Sequence, residues 1–539
     1  MAGRQEPASD LALAADVLII GGGPAACWSA LTAALAGASV VLVDKGYVGT
    51  SGATAPSTTG SWFATDRKRR DALVERRLGR ACGLGNGERM GRVVDVATEH
   101  IKLLAEWGYA FPVDDAGNPY LANLRGPDYM RFMRRQLLLA RVRILDHHPA
   151  LELLAVGDRI GGANGVARQS GTAWTVRAGA VVLATGGCAF GDRILGSTGL
   201  TGDAYLMGAE AGVSFSGMEF SAQYGIAPLG SAVNKGISFT FASFFREDGT
   251  PIPASVADRY PPLATAMADG PVFAVFDQAS PAIQDALRRG QPNCFLPFDR
   301  LGIDPFTQRF RVDLRCEGTV RGTGGIRADE SGATGIPGLY AAGDTLDRQD
   351  LAGATTGGGG PNAGWAIATG VAAGRAAQSF AHGLGQNHVD APSRALGSVG
   401  LRPEGAADRL DALELTRFVQ SEMLPLDRNF FRTATGLTRS LDRLDLAWAD
   451  ARASLGGGNG LDPSGSLRQR EAAALTFTGR LAYTAGLMRD EARGMHRRLD
   501  RPPGLDGDAR RTQLDGAALL NATRSTAMLP PSARSLQVA

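Results

Sequence analysis

The apolar positions of the chain fall into short buried runs early on and helical periodicity later. Asp16 is followed by Val17-Leu18-Ile19-Ile20, an unbroken apolar run that predicts a strand covered on both faces. Gly21 to Ala26 reads as a turn, Cys27 to Ala36 has helical composition, Gly37 stops it, and Ser39 to Val43 is a second strand. The spacing predicts a βαβ unit with a right-handed crossover. Residues 85–110 predict a helix ending at Trp107-Gly108, and 150–185 predict short strands closing on Ala180-Val181-Val182-Leu183-Ala184. From about 215 to 325 the pattern changes to short mixed segments rich in Pro, Phe and Gly, which predicts an inserted α+β unit. Residues 336–344 predict a strand and a turn, and 362–380 a helix of small residues. Beyond about 395 the period is helical, notably over 405–424 and 466–493, and the last 25 or so residues predict an extended tail.

Composition narrows the function classes. At ~150 residues per domain, 539 residues make three to four units, which excludes a peptide or a disulfide miniprotein. The net charge is +2 with both signs spread along the chain, so no nucleic-acid partner is expected. Five cysteines without a Cys-x-x-Cys, and six histidines without a ligand spacing, predict no metal site and a reducing, cytoplasmic setting. His147 and His148 are adjacent before a strand, where side chains face opposite ways, so they do not predict a shared metal. No signal peptide is read, and Gly21 to Pro24 and Asp44 break the apolar stretch 17–43, so no membrane span is expected. Gly is the excess: 72 residues, about 13% of the chain and in clusters, which suggests backbone pressed against a ligand.

One cluster carries a mechanism. Gly21-x-Gly23-x-x-Ala26 fits the turn in which the first glycine makes the bend and the second admits a pyrophosphate. The small third residue lets the helix sit close to the strand. The helix N-terminus offers free N–H groups to phosphate. Asp44 ends the second strand 23 positions after Gly21, where a ribose needs an acceptor. Two further strands end in Ala184-Thr185-Gly186-Gly187 and in Tyr340-Ala341-Ala342-Gly343-Asp344, returns that suit FAD and have no use in an NAD enzyme.

With these, the runs 43–46 and 51–55, Thr201-Gly202-Asp203, Met218-Glu219-Phe220, Gly324 to Asp344 and Arg489 to His496 resemble a known family. It is the flavoprotein superfamily of succinate dehydrogenase, fumarate reductase, L-aspartate oxidase and adenylylsulfate reductase. The resemblance implies an α/β fold: a Rossmann-like FAD-binding domain split in sequence, an inserted α+β capping domain and a C-terminal helical domain. The boundaries expected are 1–215 and 330–394 for the FAD-binding domain, 216–329 for the cap, and 395–539 for the helical domain and tail. It implies FAD contacts from Gly21, Gly22, Gly23, Ala25, Ala26, Asp44, Lys45, Ser51, Gly52, Thr54, Thr185, Gly186, Asp203, Gly343, Asp344, Asn362 and Ala363. Membrane-bound members link the flavin through a histidine on the segment matching 51–55. Here that segment is Ser-Gly-Ala-Thr-Ala, so the resemblance implies non-covalent FAD.

The departures lie where the family's C4-dicarboxylate enzymes hold substrate with two His and two Arg. Tyr224, Val320 and Thr356 stand at three of those positions, and Ser238 falls near the fourth, with Arg246 an alternative there. Bidentate guanidinium pairs orient carboxylates in a way a threonine hydroxyl does not. The expectation is a small organic substrate other than a C4 dicarboxylate. Arg321, Tyr224, Thr356, Arg246 and, less directly, Thr355 and Tyr260 are the candidates for chemistry. Arg321 suits stabilisation of developing negative charge and Tyr224 proton transfer. His496 reads as structural. The leading reading is a soluble FAD-dependent dehydrogenase or reductase using hydride transfer, with an electron partner that is a redox protein, a quinone or oxygen. The alternatives are an adenylylsulfate-reductase-like subunit feeding an iron–sulfur protein, and an electron-relay protein without its own substrate. An oligomer is compatible with either.

Overall fold

The computed structural model describes residues 11–113, 116–234, 236–255, 258–385, 392–405, 410–456, 463–504 and 509–522. Strand β1 (Leu11–Ile20) lies at the centre of the main sheet, parallel to β2 (Val40–Val43) on one side and to Ala173–Leu183 on the other. Arg143–Leu145 continues the sheet beyond β2, and Leu339–Ala341 beyond Ala173–Leu183, both parallel. An antiparallel meander of Ala150–Val156 and Arg159–Val166 pairs with the first half of Ala173–Leu183. β1 is longer than the apolar run predicts. Leu11 to Ala15 join it because they pair in register with Trp174 to Ala178, a partner no local pattern reveals.

The apolar runs are continuous because both faces of the parallel strands are covered. Val17, Ile19, Leu42 and Val182 pack under helix α1 (Pro24–Leu35) and the helix Gly359–Gly383. Leu18, Ile20, Val41 and Val181 face the opposite core, which includes Phe215 and Phe477. The two helices touch backbone to backbone. A Cβ on Gly370 would stand 2.6 Å from the Ala25 carbonyl oxygen, and one on Gly374 2.3 Å from that of Ser29. The small residues that marked this helix in sequence are therefore a steric requirement.

Within 216–329, five antiparallel strands run in the order Gln223–Pro228, Phe310–Gly318, Val272–Val275, Ser243–Arg246, Pro251–Ile252. Phe276, Phe298 and Phe310 pack edge to face beneath them, with centroids 4.5 to 5.8 Å apart for Phe298–Phe310 and Phe276–Phe298. The later part of the chain is helical through Ala412–Met423, Ala434–Ser454 and Pro463–Met488, and the buried pair Arg480–Asp445 (2.6 Å) ties the last two together. The last helix stops at Met488, short of the expected 493. Arg489 instead turns inward to Glu219 (2.7 Å) and Glu491 (2.6 Å). The tail also departs from expectation. Gln513–Asp515 adds a strand to Ser214–Ser216, and Asp515 caps a short helix, Gly516–Asn521. The remainder of the expected tail, 523–539, lies outside the described residues.

The close helix crossing generates a stability prediction. Gly374→Val should lower stability by about 1–3 kcal/mol or more through overpacking against backbone. Gly383→Ala, with nothing within 4 Å of the new methyl, should be neutral or stabilising by up to ~1 kcal/mol. Thermal unfolding of the two variants measures both, and equal behaviour would remove the steric account.

Candidate functional site

The turn between β1 and α1 forms one wall of a cavity of about 850 Å³. Gly21 has φ +126°, and a Cβ there would stand 2.2 Å from the Ala184 carbonyl oxygen. A Cβ on Gly22 would come within 2.5 Å of Asp44 Oδ2, whereas Gly23 faces open space with nothing within 4 Å. Helix α1 starts at Pro24 without a side-chain cap, so its first free N–H groups and its positive dipole end meet the cavity. A second uncapped helix start lies across the space. Gly358, with φ +74° and nothing within 4 Å, precedes Gly359–Gly383, and both Gly358 and Gly359 line the cavity.

Sixteen of the seventeen expected cofactor residues line it: Gly21, Gly22, Gly23, Ala25, Asp44, Lys45, Ser51, Gly52, Thr54, Thr185, Gly186, Asp203, Gly343, Asp344, Asn362 and Ala363. Ala26 does not; it is fully buried inside α1. Asp44 is buried and accepts a hydrogen bond from Ser51 Oγ; burial pushes its carboxyl up and that bond pulls it back. Lys45 is more occupied than the sequence suggests. Its Nζ donates to Asp203 Oδ2 (2.7 Å), Glu471 Oε1 (2.9 Å) and Thr201 Oγ1 (2.9 Å), and these carboxylates hold the ammonium well above its ordinary range.

The residues present fit a dinucleotide. Two helix N-termini and the empty space beside Gly23 and Gly358 suit phosphate and ring oxygens. Thr185 Oγ1 and Asn362 Oδ1 are buried with no hydrogen-bond partner, as expected of atoms meant for a ligand.

The proposed chemistry residues separate on inspection. Arg321 lines the cavity beside Val320 and pairs with the buried Glu317 at 3.2 Å. Tyr224 does not reach it. Its phenol donates to the Leu424 carbonyl (2.9 Å), and its ring packs on Phe430, so it is a core tyrosine held well above its usual range by burial. Arg246 is also misplaced by the sequence reading: it sits on a strand of the five-stranded sheet, 41% exposed, paired with Asp269 (3.1 Å). Thr355 and Thr356 stand just outside the lining. Their loop is gripped by Arg77, which donates to the carbonyls of Leu351 (3.0 Å), Ala352 (2.6 Å) and Thr356 (2.9 Å) and to Thr355 Oγ1 (2.6 Å). Burial without a carboxylate lowers that guanidinium to about 10. His147, at φ +59°, and His148 lie in the turn between Arg143–Leu145 and the strand Ala150–Val156. His496 is fully buried between Arg432 Nη1 (3.0 Å) and the Arg489 carbonyl (3.2 Å), and burial pushes its imidazole well below the usual range.

Sequence reasoning missed Arg168, Leu467, Arg468 and Glu471, all of which line the cavity. The last three lie on the helix Pro463–Met488, and nothing in its period marks the face that meets the cavity.

Residues 16–230 match the family model for the FAD binding domain. L-aspartate oxidase of Mycobacterium leprae is 28% identical over 96% of this chain and 98% of its own length. The protein is an FAD-dependent oxidoreductase homologous to that enzyme. A fumarate reductase (CoM/CoB) polypeptide from Methanothermobacter marburgensis is 23% identical over 90% of this chain and 94% of its own. Two solved structures share the fold. The E. coli quinol fumarate reductase flavoprotein superposes with a TM-score of 0.78 at 19% identity, covering 93% of this chain and 94% of that one. Adenylylsulfate reductase from Archaeoglobus fulgidus gives 0.70 at 18% identity, covering 94% and 96%. No described helix of this oxidoreductase is long and apolar enough to cross a membrane.

Asp44→Ala should weaken FAD binding about tenfold or more, measured by equilibrium dialysis, because the cavity loses its charged acceptor opposite Gly22; unchanged affinity would displace Asp44 from the cofactor contacts. His496 couples stability to pH. Its folded pKa is depressed, so the unfolded chain binds the extra proton, and stability falls as pH drops from ~6.5 toward the folded value. His496→Gln, which still accepts from Arg432, should flatten that part of the denaturation midpoint against pH; a superimposable profile would show that the ring does not titrate on unfolding.

Proposed function

We propose that this FAD-dependent oxidoreductase is a dehydrogenase or reductase of a small organic molecule that is not a C4 dicarboxylate, with non-covalent FAD. FAD, when bound, supplies hydride acceptance or donation at its N5. Binding falls to the two helix starts and Asp44, and the segment 216–329 is assigned as the cap that keeps water from the reacting face. The observation that carries the reading is the cavity lining: among the described residues no histidine is in it, and Val320 and Arg321 occupy the loop where the dicarboxylate enzymes' histidine motif aligns. A buried valine neither binds nor orients a carboxylate. Arg321, held in place by Glu317, is positioned to steady negative charge on a substrate oxygen as the hydride leaves or arrives. The chain's similarity to L-aspartate oxidase supports the chemistry of the cofactor; the lining argues for a different substrate. The electron partner on this reading is a separate redox protein, a quinone or oxygen, and the setting is cytoplasmic.

Three measurements test the proposal. Acid precipitation of the yellow protein should release FAD into the supernatant, and colour retained in the pellet would mean a covalent link. Succinate, fumarate and L-aspartate should each leave the flavin spectrum unchanged under anaerobic mixing; turnover of any of them above ~1 per second, an ordinary enzymatic rate, would overturn the substrate reading. In a screen of other organic acids and carbonyl compounds, Arg321→Ala should slow flavin reduction at least ~10-fold with FAD occupancy intact, read by stopped flow.

A further inference from the structure

Arg321 faces the cavity, and what stands behind it decides the charge a ligand meets there. The guanidinium is 28% exposed, while its partner Glu317, 3.2 Å away, is fully buried and does not line the cavity. Glu317 is itself fixed. Its Oε1 accepts from Asn234 Nδ2 (2.7 Å), and its Oε2 is turned to Arg321. The strand Gln223–Pro228 makes room for this group with a glycine. A Cβ on Gly225 would stand 2.7 Å from Asn234 Nδ2 and 3.1 Å from Glu317 Oε1.

The turn at Asp344 repeats the arrangement with the signs reversed. Asp344 lines the cavity, and its counter-ion Arg348 is fully buried behind the wall. Arg348 also donates to the carbonyls of Thr319 and Val320, so the two ion pairs belong to one piece of wall. Each charge shown to the cavity there is balanced by a buried partner that does not line it. The other cationic residues of the lining, among the described residues, go with Lys45. Arg168 donates to the Lys45 carbonyl (3.0 Å), and Arg468 lies three positions before Glu471, which accepts from Lys45. Besides Arg321, the described residues of 216–329 add Gly236, Ile237 and Val320 to the lining, and none of these has a polar side chain.

This arrangement favours some ligands over others. A carboxylate brought to Arg321 is attracted by the guanidinium and opposed by the like charge of Glu317 behind it. It also gives up its hydration at a place with no net charge to replace it. An uncharged carbonyl or hydroxyl oxygen accepts from the same guanidinium N–H groups and incurs neither cost.

We propose that Glu317, acting through Arg321, sets the specificity of the site. By neutralising Arg321 it selects an uncharged substrate, with a carbonyl or hydroxyl oxygen on Arg321 and an apolar body against Ile237 and Val320. Asn234 is a positioning residue that keeps the Glu317 carboxylate turned to Arg321. The proposal rests on the reading that Arg321 meets the substrate, and it narrows the substrate class of that reading.

The test uses the FAD-loaded protein with acetate and benzoate as anionic probes, and acetamide and benzamide as their neutral isosteres. Binding is read by calorimetry and by perturbation of the flavin absorbance band. In the wild type neither acid should bind more tightly than its amide. Glu317→Gln keeps the shape and leaves Arg321 uncompensated, so at least one acid should gain about tenfold or more in affinity relative to its amide. Glu317→Asp keeps the charge and should retain the wild-type preference, and Glu317→Gln combined with Arg321→Gln should return to it. Asn234→Ala should give a smaller gain. A damaged fold weakens acid and amide alike and produces no gain for one of them. Where Glu317→Gln does not retain FAD, the comparison of wild type with Arg321→Gln decides, since acid binding indifferent to Arg321 supports the proposal. A Glu317→Gln variant that gains no acid binding, a gain that survives the loss of Arg321, or wild-type acid binding that Arg321→Gln abolishes overturns it. A gain in acid binding while no uncharged molecule reduces the flavin leaves the charge preference standing and removes the dehydrogenase reading. Flavin reduction by a monocarboxylate, slowed in Arg321→Ala, does the reverse.

Discussion

Arg348 holds together the end of the cavity formed by Val320 and Arg321. Its guanidinium is fully buried, ion-paired to Asp344, and donates to the carbonyls of Thr319 (3.0 Å), Val320 (3.3 Å) and Gly322. Its own backbone N–H donates to the Thr323 carbonyl (2.9 Å). A buried cation with one carboxylate and a ring of carbonyls is tolerable only while every partner stays in place. That requirement fixes the loop 319–323 against the turn 343–345. Val320 and Arg321 face the cavity because Arg348 leaves their loop no other course. That stretch of the cavity wall is therefore held by a residue that does not line the cavity.

The same logic operates at the other end with different materials. Glycine lets the turn at 21–23 and the helix at 370–374 approach neighbouring backbone to distances that any side chain would forbid. Lys45 then draws Asp203 and Glu471 to one ammonium, joining the second strand, a short helix and the C-terminal helical segment. Backbone contact sets the shape of the nucleotide end; ion pairs close it. Neither device involves the loop at 320.

What could be read from the sequence follows from how locally each feature is encoded. The β1–α1–β2 unit, the glycine turn, Asp44 and the returns at 184–186 and 343–344 are legible because strand, turn and helix signals sit within a few residues of each other. The limits are geometric. Tyr224 stood at the right place in a motif, yet a register shift between Gln223 and Tyr224 accompanies a ring turned into the core. Arg246 came from matching a turn, which says nothing about where a sheet will carry it. Arg168, Arg468 and Glu471 line the cavity from a loop and a helix far away in the chain, and no periodicity distinguishes the face of a helix that meets a cavity from one that meets protein.

The Lys45–Glu471 contact spans 426 positions, and this has a consequence for how the protein is made. The first βαβ unit leaves the ribosome early and can form its sheet pairs long before the helix Pro463–Met488 exists. At elongation rates of about 5–20 residues per second, the interval is roughly 20 to 85 seconds. During it Lys45 has Asp203 at most, and the wall supplied by Leu467, Arg468 and Glu471 is missing. Tight capture of the cofactor is thus a late event in biosynthesis, and a chain truncated before that helix would emerge with the glycine turn intact and the pocket open on one side.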